Sequence, residues 1–377
     1  MAKTYRLGVI GFAHMHVNHL LDTFAALPNV EWVACADTVP AVPSRTSKPS
    51  SRRANLKWAL EAIGIPKAYD DYRQMLERER FDIVIFCPEN ARHAEVAEAI
   101  AAKGAHMLTE KPMAADLSGA LRMARAVKAA GVEIMVNWPT TWSPAIRAMQ
   151  ALIASGSIGK VLEVKWRNGA SMGPLAYTVG ADAFTDEEKG AEWWHQSATG
   201  GGALLDYCCY GACLSRWFLG EPAVAATAMA ANLNSHYGDA EDNAVICVRF
   251  PSAMAILEGT WTTWHTGVPT GPIVYGSRGT LVANQREVKG ELRAVVEVYS
   301  SRGHGGEPDD VVVGEPLPEG RGSEAEEFIH HLETGEPLHP TLQLEHNLEA
   351  MAILDAGIRS ARSGKTELVN NATWNVG

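Results

Sequence analysis

The sequence predicts an α/β protein with two domains: a parallel sheet covered by helices on both faces, then an α+β domain built on a large, mostly antiparallel open sheet. Three observations support this. The chain has 377 residues, more than one ordinary domain of roughly 150. Short apolar strands alternate with helical patterns as far as Asn137. Beyond it, several strands follow one another through short turns. We therefore expect domains at residues 1–137 and 138–377.

The first domain shows the strand–helix alternation that is typical of a parallel sheet. Its strands are predicted at Tyr5–Gly11, Glu31–Asp37, Phe81–Cys87, Ala105–Thr109 and Glu133–Asn137. Its helices are predicted at Val17–Leu27, Ala54–Ile63, Asp71–Glu79, Ala91–Lys103 and Asp116–Ala130. Most of the intervening turns contain Gly, Pro or Asn, which favour turn conformations.

The second domain begins with a helix at Ala145–Ser155 and then becomes rich in strands. Strands are predicted at Val161–Asn168, Ala223–Asn232, Asn243–Arg249, Met254–Trp264, Ile273–Tyr275, Gly279–Asn284 and Ala294–Ser300. Short turns between consecutive strands favour antiparallel pairing. One helix, Ala203–Leu219, interrupts the strands, and two helices, Glu324–Thr334 and Glu345–Ser363, close the chain. These closing helices are candidates for packing back on the first domain.

Composition excludes several classes of partner. The formal net charge of −11 argues against nucleic acid and anionic membranes, which recruit surplus Lys and Arg. The chain shows no secretory signal, and no apolar run approaches the ~20 residues that span a bilayer. The six cysteines lack Cys-x-x-Cys zinc spacing, so we expect reduced thiols and a cytoplasmic protein.

A degenerate dinucleotide-binding fingerprint follows the first strand. In the pattern G-x-G-x-x-G, Gly11 takes the first glycine position, Ala13 the second and His16 the third. The following helix offers its N-terminus to a phosphate. The first domain is therefore predicted to be a Rossmann dinucleotide-binding domain. The cofactor residues expected in this turn are Gly11, Phe12, Ala13, His14 and Met15.

Asp37 is the candidate that selects the cofactor. It ends the second strand, where a carboxylate binds the adenine ribose hydroxyls and repels the extra phosphate of NADP. NAD is therefore the expected cofactor. NADP stays open, because the basic residues between Arg45 and Arg53 could reach a phosphate.

Three histidines near this turn raise the question of a metal ion. His16 and His19 are three residues apart and could share a helix face with His14 nearby, but no carboxylate lies close in sequence. A contact to phosphate or nicotinamide, or simple packing at the helix start, explains these histidines with fewer assumptions. No metal ion is expected.

The candidate catalytic residues come from two segments. Lys111 follows the fourth strand, at the carboxyl edge where ligands bind, and can stabilise charge on an oxygen being oxidised. Asp206 and Tyr210 follow a run of three glycines, four residues apart and thus on one helix face. Together the three side chains can transfer a proton. Alternatively, the glycines only cap a helix and Tyr210 belongs to the core.

Taken together, Glu110-Lys111-Pro112 and Gly200-Gly201-Gly202-x-x-x-Asp206-x-x-x-Tyr210 resemble the glucose–fructose oxidoreductase, inositol dehydrogenase and rhizopine catabolism family, written Gfo/Idh/MocA. The resemblance runs from Tyr5 to about residue 368. It implies that Lys111 is the central catalytic residue, that Asp206 orients it or the substrate, and that Tyr210 is the acid/base. It also implies a cofactor cleft lined by Pro88, Glu89, Asn90, His93, Glu110, Lys111 and Asn137. Ala13, His16 and Cys208 depart from the family's usual glycines.

Aromatic residues near the predicted site indicate a sugar-like substrate. Flat aromatic faces pack against the C–H faces of sugar rings while nearby polar groups bind hydroxyls. The candidate substrate residues are Trp138, Trp142, Trp193, Trp194 and His195. The alternative is that most of these aromatic residues belong to the core.

Three functions remain open at this point. The first is an NAD(P)-dependent dehydrogenase acting on a secondary hydroxyl of a sugar, polyol or glycoside. The second is a redox-neutral glycosidase or lyase that works by transient oxidation and elimination. The third is a non-catalytic nucleotide sensor, which the presence of Lys111, Asp206 and Tyr210 disfavours. Because an open sheet with an uncovered apolar face favours association, we expect a homodimer or homotetramer.

Overall fold

The computed structural model describes residues 3–169, 173–175, 183–264, 268–269, 271–300 and 305–370. Strands up to Asn137 form one sheet, and strands from Val161 onward form another. The second sheet is mostly antiparallel, so the predicted combination of a parallel and a mostly antiparallel sheet is confirmed.

The first sheet is entirely parallel within the described residues. Its strands are β1 (Tyr5–Phe12), β2 (Val30–Ala36), β3 (Ala68–Tyr69), β4 (Ile83–Cys87), β5 (His106–Glu110) and β6 (Ile134–Asn137). Their order is β3-β2-β1-β4-β5-β6, which is the Rossmann order. Because the order reverses between β1 and β4, a crevice forms at their carboxyl ends, where open α/β sheets bind ligands.

Five helices connect these strands. They are α1 (Val17–Ala25), α2 (Arg52–Glu61), α3 (Tyr72–Arg78), α4 (His93–Ala101) and α5 (Leu117–Ala130). Local sequence sets several of their ends. The Asp116 side chain, for example, accepts a hydrogen bond from Gly119 N at the start of α5. The helix then ends at Gly131 in the left-handed conformation.

The second sheet contains nine strands among the described residues, ordered β14-β13-β12-β11-β7-β10-β9-β8-β15. They are β7 (Val161–Gly169), β8 (Ala225–Ala231), β9 (Asn243–Arg249), β10 (Met254–Thr260), β11 (Ile273–Gly276), β12 (Thr280–Val288), β13 (Glu291–Tyr299), β14 (Asp310–Val313) and β15 (Glu367–Leu368). One central pair, β7 with β10, is parallel. The two strands are far apart in sequence, so no short turn fixes their direction.

Five helices are described in this part of the chain: α6 (Pro144–Ala154), α7 (Asp186–Ala191), α8 (Leu204–Leu219), α9 (Glu324–Thr334) and α10 (Leu344–Ser363). Of these, α6, α8 and α10 pack against the second sheet. Helix α8 opens with a π-turn at Leu204–Cys208 before becoming regular. Helix α10 packs against β8 and α8 on one side and against α5 and β6 on the other. Helix α9 packs against α1, so both closing helices contact the first domain.

The described residues contain no helix with the length and apolarity needed to cross a lipid bilayer. All six cysteines are free thiols, and five of them are buried.

Candidate active site

The turn after β1 has the conformation that the fingerprint requires. Gly11 has φ of +83°, and a Cβ there would lie 2.5 Å from Pro88 N, so only glycine fits. Ala13 is buried, and its carbonyl accepts a hydrogen bond from the Trp193 indole at 2.8 Å. Helix α1 starts at Val17 without a side-chain cap, which leaves its first turn available to a phosphate.

Asp37 lies beside this turn, immediately after β2. Its Oδ1 accepts hydrogen bonds from Phe12 N at 3.0 Å and Thr38 N at 2.8 Å. Burial raises the pKa of Asp37, and the nearby Arg52 guanidinium opposes the increase. Arg52 lies 3.4 Å from Asp37 Oδ2 and 2.9 Å from Glu89 Oε1, so its charge is already compensated.

Three of the four basic residues that could bind an extra phosphate are paired with acids, and the fourth, Arg53, is exposed. Arg45 contacts Glu187 at 3.2 Å, and Lys48 contacts Glu188 at 2.6 Å. Together with the pairing of Arg52, these contacts favour NAD over NADP. The Gly11 turn, the first turn of α1 and the Asp37 carboxylate fit the pyrophosphate and adenine ribose of NAD.

The residues after β4 mainly hold the crevice together. Asn90 donates from Nδ2 to Gly200 O at 2.8 Å, which joins the two domains. The His93 ring contacts the carbonyls of Met113 at 3.1 Å and Pro88 at 3.3 Å. Burial lowers the pKa of His93 to about 4, so the ring is neutral. These contacts give Asn90 and His93 a structural role in addition to the predicted place in the cofactor cleft.

Lys111 lies at the centre of the predicted catalytic group. Its Nζ is 3.0 Å from both the backbone oxygen and Oδ1 of Asp206, and 4.6 Å from the centroid of the Tyr210 ring. Burial alone would lower the pKa of Lys111, but the negative charge of the Asp206 carboxylate opposes burial, and the pKa is raised well above its usual value. Lys111 therefore carries a positive charge at neutral pH.

Three tryptophans hold Asp206 and Tyr210 in place. Trp261 donates from its indole nitrogen to Asp206 Oδ2 at 3.2 Å. Trp166 stacks on Tyr210 with ring centroids 5.3 Å apart, and the edge of Trp138 meets the same ring at 5.7 Å. Burial raises the pKa of Tyr210, so the phenol stays protonated at neutral pH.

Glu110 connects the turn after β1 to the end of β6. Its Oε2 lies 3.1 Å from His16 Nδ1, and its Oε1 accepts a hydrogen bond from Asn137 Nδ2 at 2.7 Å. Asn137 in turn accepts a hydrogen bond from the Trp142 indole at 2.9 Å. Burial raises the pKa of Glu110, but the His16 and Asn137 contacts outweigh burial and lower it overall.

A cavity of about 300 Å³ lies between the two domains, in front of Lys111. It is lined by His14, Met15, His16, Lys111, Asn168, Pro174, Trp194, Asp206, Tyr207 and Tyr210. The Trp194 indole nitrogen is buried and has no hydrogen-bond partner among the described residues. Burial lowers the pKa of His14 well below its usual value, so its imidazole is neutral. The cavity therefore combines the Lys111–Asp206 ion pair with neutral hydrogen-bonding groups.

The other predicted substrate residues lie outside this lining. Trp138 is buried behind Tyr210 and donates to Asn347, Trp142 contacts Asn137, and Trp193 contacts Ala13. His195 is buried edge-on against Tyr237 and Trp261, and neither ring nitrogen has a partner among the described residues. These four residues therefore contact other residues of the site and do not line the cavity.

The structure brings Lys111, Asp206 and Tyr210 close together. It also gives roles to Trp166 and Trp261, two tryptophans that are not among the predicted site residues. Both tryptophans are buried, so no pattern of exposure or spacing distinguished them from other core residues. Only the pairing of β7 with β10 places them both beside α8.

Comparisons with known proteins agree with this architecture. Residues 5–138 match the family described as "Oxidoreductase family, NAD-binding Rossmann fold". Residues 146–282 match the "GFO/IDH/MocA C-terminal domain". Together the two matches cover the first sheet and strands β7 to β11 of the second.

Three individual relatives share at most 28% sequence identity with this chain. Levoglucosan dehydrogenase from Pseudarthrobacter phenanthrenivorans is 28% identical over 58% of this chain and 52% of its own length. Inositol 2-dehydrogenase from Rhizobium meliloti is 26% identical over 95% of this chain and 97% of its own. The solved aldose-aldose oxidoreductase from Caulobacter crescentus shares the fold, with a TM-score of 0.72 and 20% identity over 97% of this chain and 100% of its own. The chain therefore belongs to the Gfo/Idh/MocA oxidoreductase family and has that family's NAD-binding Rossmann domain.

Proposed function

We propose that this protein is an NAD-dependent dehydrogenase that oxidises a secondary hydroxyl of a sugar, polyol or glycoside. The observation that carries the proposal is the charged Lys111, held 3.0 Å from Asp206 beside a cavity of about 300 Å³. The cavity is large enough for a monosaccharide-sized molecule. The sugar and polyol dehydrogenases among the relatives support the same substrate class.

Lys111 and Tyr210 act on the substrate oxygen. Both retain their protons at neutral pH, so both can donate hydrogen bonds to an oxygen on which negative charge develops. Asp206 keeps Lys111 charged and fixes its direction, while Trp261 holds the second carboxylate oxygen. Bound NAD supplies the acceptor for the hydride. As the substrate is oxidised, Lys111 takes the proton of its hydroxyl and passes one of its own protons to the Asp206 carboxylate 3.0 Å away, from which it reaches solvent.

Trp194 supplies a further contact to the substrate. Its indole N–H is buried at the cavity without a partner among the described residues, and such a group gains free energy when an oxygen binds to it. The ring itself offers a flat apolar face. This combination suits a sugar, which presents C–H faces and hydroxyls together.

A redox-neutral reaction on glycosides is the second candidate. In that reaction the hydride returns to the substrate after elimination, so the cofactor has no need to leave. Two hydrogen bonds between the domains favour retention of NAD in the crevice. The Trp193 indole donates to Ala13 O in the dinucleotide turn, and Asn90 donates to Gly200 O. Release of NAD past these contacts requires the domains to separate.

One experiment distinguishes the two reactions. The protein is mixed with excess NAD and with a panel of sugars, polyols and glycosides, while the absorbance of reduced nicotinamide is followed. A dehydrogenase produces a rising signal with one substrate class. Product detected by mass spectrometry without any absorbance change supports the redox-neutral reaction. If neither signal nor product appears with any compound although NAD binds, the proposed function is wrong.

Apolar side chains on the open face of the second sheet are evidence for a homodimer or homotetramer. Exposed or half-exposed apolar side chains on this face include Met229, Val245, Met254, Ile256 and Ile273. Burying such a face on a second copy of the chain removes apolar surface from water. Light scattering on the purified protein tests this, and a mass of one chain at micromolar concentration would contradict it. The free thiols support the expected cytoplasmic location.

A further inference from the structure

Two histidines and a glutamate meet beside the cavity. His14 and His16 come from the turn after β1, and Glu110 is the last residue of β5. One ligand atom of each residue lies within 4.8 Å of the other two. We propose that these three side chains bind one divalent transition-metal ion, and that zinc is the ion that this set of ligands favours.

The chemistry of the ligands supports this proposal. Two imidazoles with one carboxylate form the ligand set of catalytic zinc sites, and the same combination binds iron(II), cobalt(II) and manganese(II). The contact between His16 and Glu110 also has an ordinary explanation as a single hydrogen bond of 3.1 Å. That explanation leaves out the second imidazole, His14, whose ring centroid lies 4.7 Å from that of His16.

The ligands are partly organised for a metal ion. Asn137 donates to Glu110 Oε1 at 2.7 Å, which fixes the carboxylate and leaves Oε2 toward the histidines. Ligand atoms around one tetrahedral zinc lie about 3.3 Å apart, and here no two of the three atoms are more than 4.8 Å apart, so the widest pair must approach by at most roughly 1.5 Å. The His16 side chain is 32% exposed, so it has room to adjust when an ion binds. His14 exchanges one long hydrogen bond, from His16 N at 3.2 Å, for the metal bond.

Charges around the cluster are compatible with a cation. Lys111 is the nearby positive group, and its Nζ is paired with Asp206 at 3.0 Å. His19 lies in α1, just after this turn. Its side chain is 64% exposed and contacts Glu324 on α9 at 3.3 Å. It therefore lies outside the cluster. The sequence-based expectation of no metal rested on the lack of a carboxylate near the histidines; Glu110, 94 residues from His16, provides one.

The proposed ion would have an open position toward the cavity. His14 and His16 line that cavity together with Lys111 and Tyr210. Three protein ligands leave room for one further ligand, which is the arrangement of catalytic rather than structural zinc sites. A substrate oxygen could occupy that position and be polarised there. This part of the inference rests on the proposed function, whereas metal binding itself does not.

Metal binding is measured first, without substrate. The protein is freed of metal with a chelator, exchanged into buffer and titrated with Co²⁺, whose visible absorption reports the number and type of ligands. Zn²⁺ is then added to displace it, and bound zinc per chain is counted by mass spectrometry. The proposal predicts one ion per chain. It also predicts that His14→Ala, His16→Gly and Glu110→Gln each weaken Co²⁺ binding by about 100-fold or more, since even outer-sphere changes cost 10–100-fold.

The variants are chosen to separate metal binding from folding. His16→Gly restores the usual glycine of the fingerprint and removes a ligand, so it should fold and still bind NAD. His19→Ala removes a neighbouring histidine outside the cluster and should bind Co²⁺ as the unaltered chain does. No binding in the micromolar range, or binding that survives both His14→Ala and His16→Gly, overturns the proposal. NAD-dependent turnover is scored separately, so metal binding without turnover would refute the proposed function alone.

Discussion

At the scale of single residues, Lys111 makes the contacts on which the catalytic proposal depends. Lys111→Ala should lower kcat by at least about 100-fold, because it removes the cation that stabilises charge on the substrate oxygen. NAD binding, measured by fluorescence titration, should change little. The matched control is Lys165→Ala, because Lys165 also lies over a tyrosine ring, Tyr275, at 5.3 Å, but outside the cavity. Near-normal turnover in Lys111→Ala would refute the assignment.

Trp193 and Trp194 are adjacent in sequence but contact different ligand sites. Trp194→Phe keeps the ring and removes the unpartnered N–H, so KM for substrate should rise about 5- to 10-fold with little change in NAD affinity. Trp193→Phe removes the hydrogen bond to Ala13 O and should instead weaken NAD binding. Steady-state kinetics and NAD titration of both variants test this. Equal effects of the two substitutions on both ligands would contradict it.

At the scale of helices and strands, the sequence predicted most of the fold correctly. The alternation of apolar strands and helices gave β1, β2, β4, β5 and β6 within a few residues. It missed β3 and β15, which have two residues each and no detectable period. It also missed β14, which has only four residues, Asp-Val-Val-Val, and no polar–apolar alternation. Strand order and the parallel pairing of β7 with β10 depend on contacts between distant segments, which periodicity does not report.

The candidate site was predictable where its residues are close in sequence. Asp206 and Tyr210 were placed on one face by their spacing, and Lys111 by its position after a strand. The link between His16 and Glu110 was not predictable, because it joins the ends of β1 and β5 across β4. The same reason applies to Trp261, which reaches Asp206 from the end of β10.

The close approach of α8 to the second sheet depends on Gly211. A Cβ there would lie 2.6 Å from Leu257 Cδ2 and 2.8 Å from Trp166 Cβ. Gly211→Ala should therefore lower the free energy of unfolding by about 1–3 kcal/mol and reduce kcat, since Trp166 supports Tyr210. Gly119→Ala in α5, whose nearest contact is 3.3 Å, is the helical control and should be neutral or stabilising. Chemical denaturation measures both, and equal stability of the two variants would contradict this account.

At the scale of the whole molecule, buried histidines should make the fold sensitive to acid. Burial lowers the pKa of His93, His195, His339 and His346 to about 4. The unfolded chain binds protons on these groups below about pH 6.5, but the folded chain does so only near pH 4. The free energy of unfolding should therefore fall between pH 6.5 and 4, by about 1.4 kcal/mol per pH unit for each histidine.

Denaturation at several pH values measures this dependence, and His195→Phe provides its control. Both His195 ring nitrogens lack partners among the described residues, and the ring packs against Trp261 and Tyr237, so phenylalanine should be tolerated at pH 7. The variant should lose stability less steeply on acidification. An unchanged slope would show that His195 titrates normally in the folded protein.

The proposed function requires that a hydride moves from a carbon of a sugar-like substrate to the nicotinamide held beside Lys111. The most direct measurement uses sugars, polyols and glycosides deuterated at their ring carbons, followed by the mass of the cofactor after rapid quenching. The proposed function predicts deuterium in the reduced nicotinamide for one substrate class, and transfer at least about 100-fold slower with Lys111→Ala. Deuterium transfer to the nicotinamide is expected both for net oxidation and for the redox-neutral reaction, because both begin with hydride transfer from the substrate. If the protein binds NAD but no compound transfers deuterium to it, the assignment of this site to hydride chemistry is wrong.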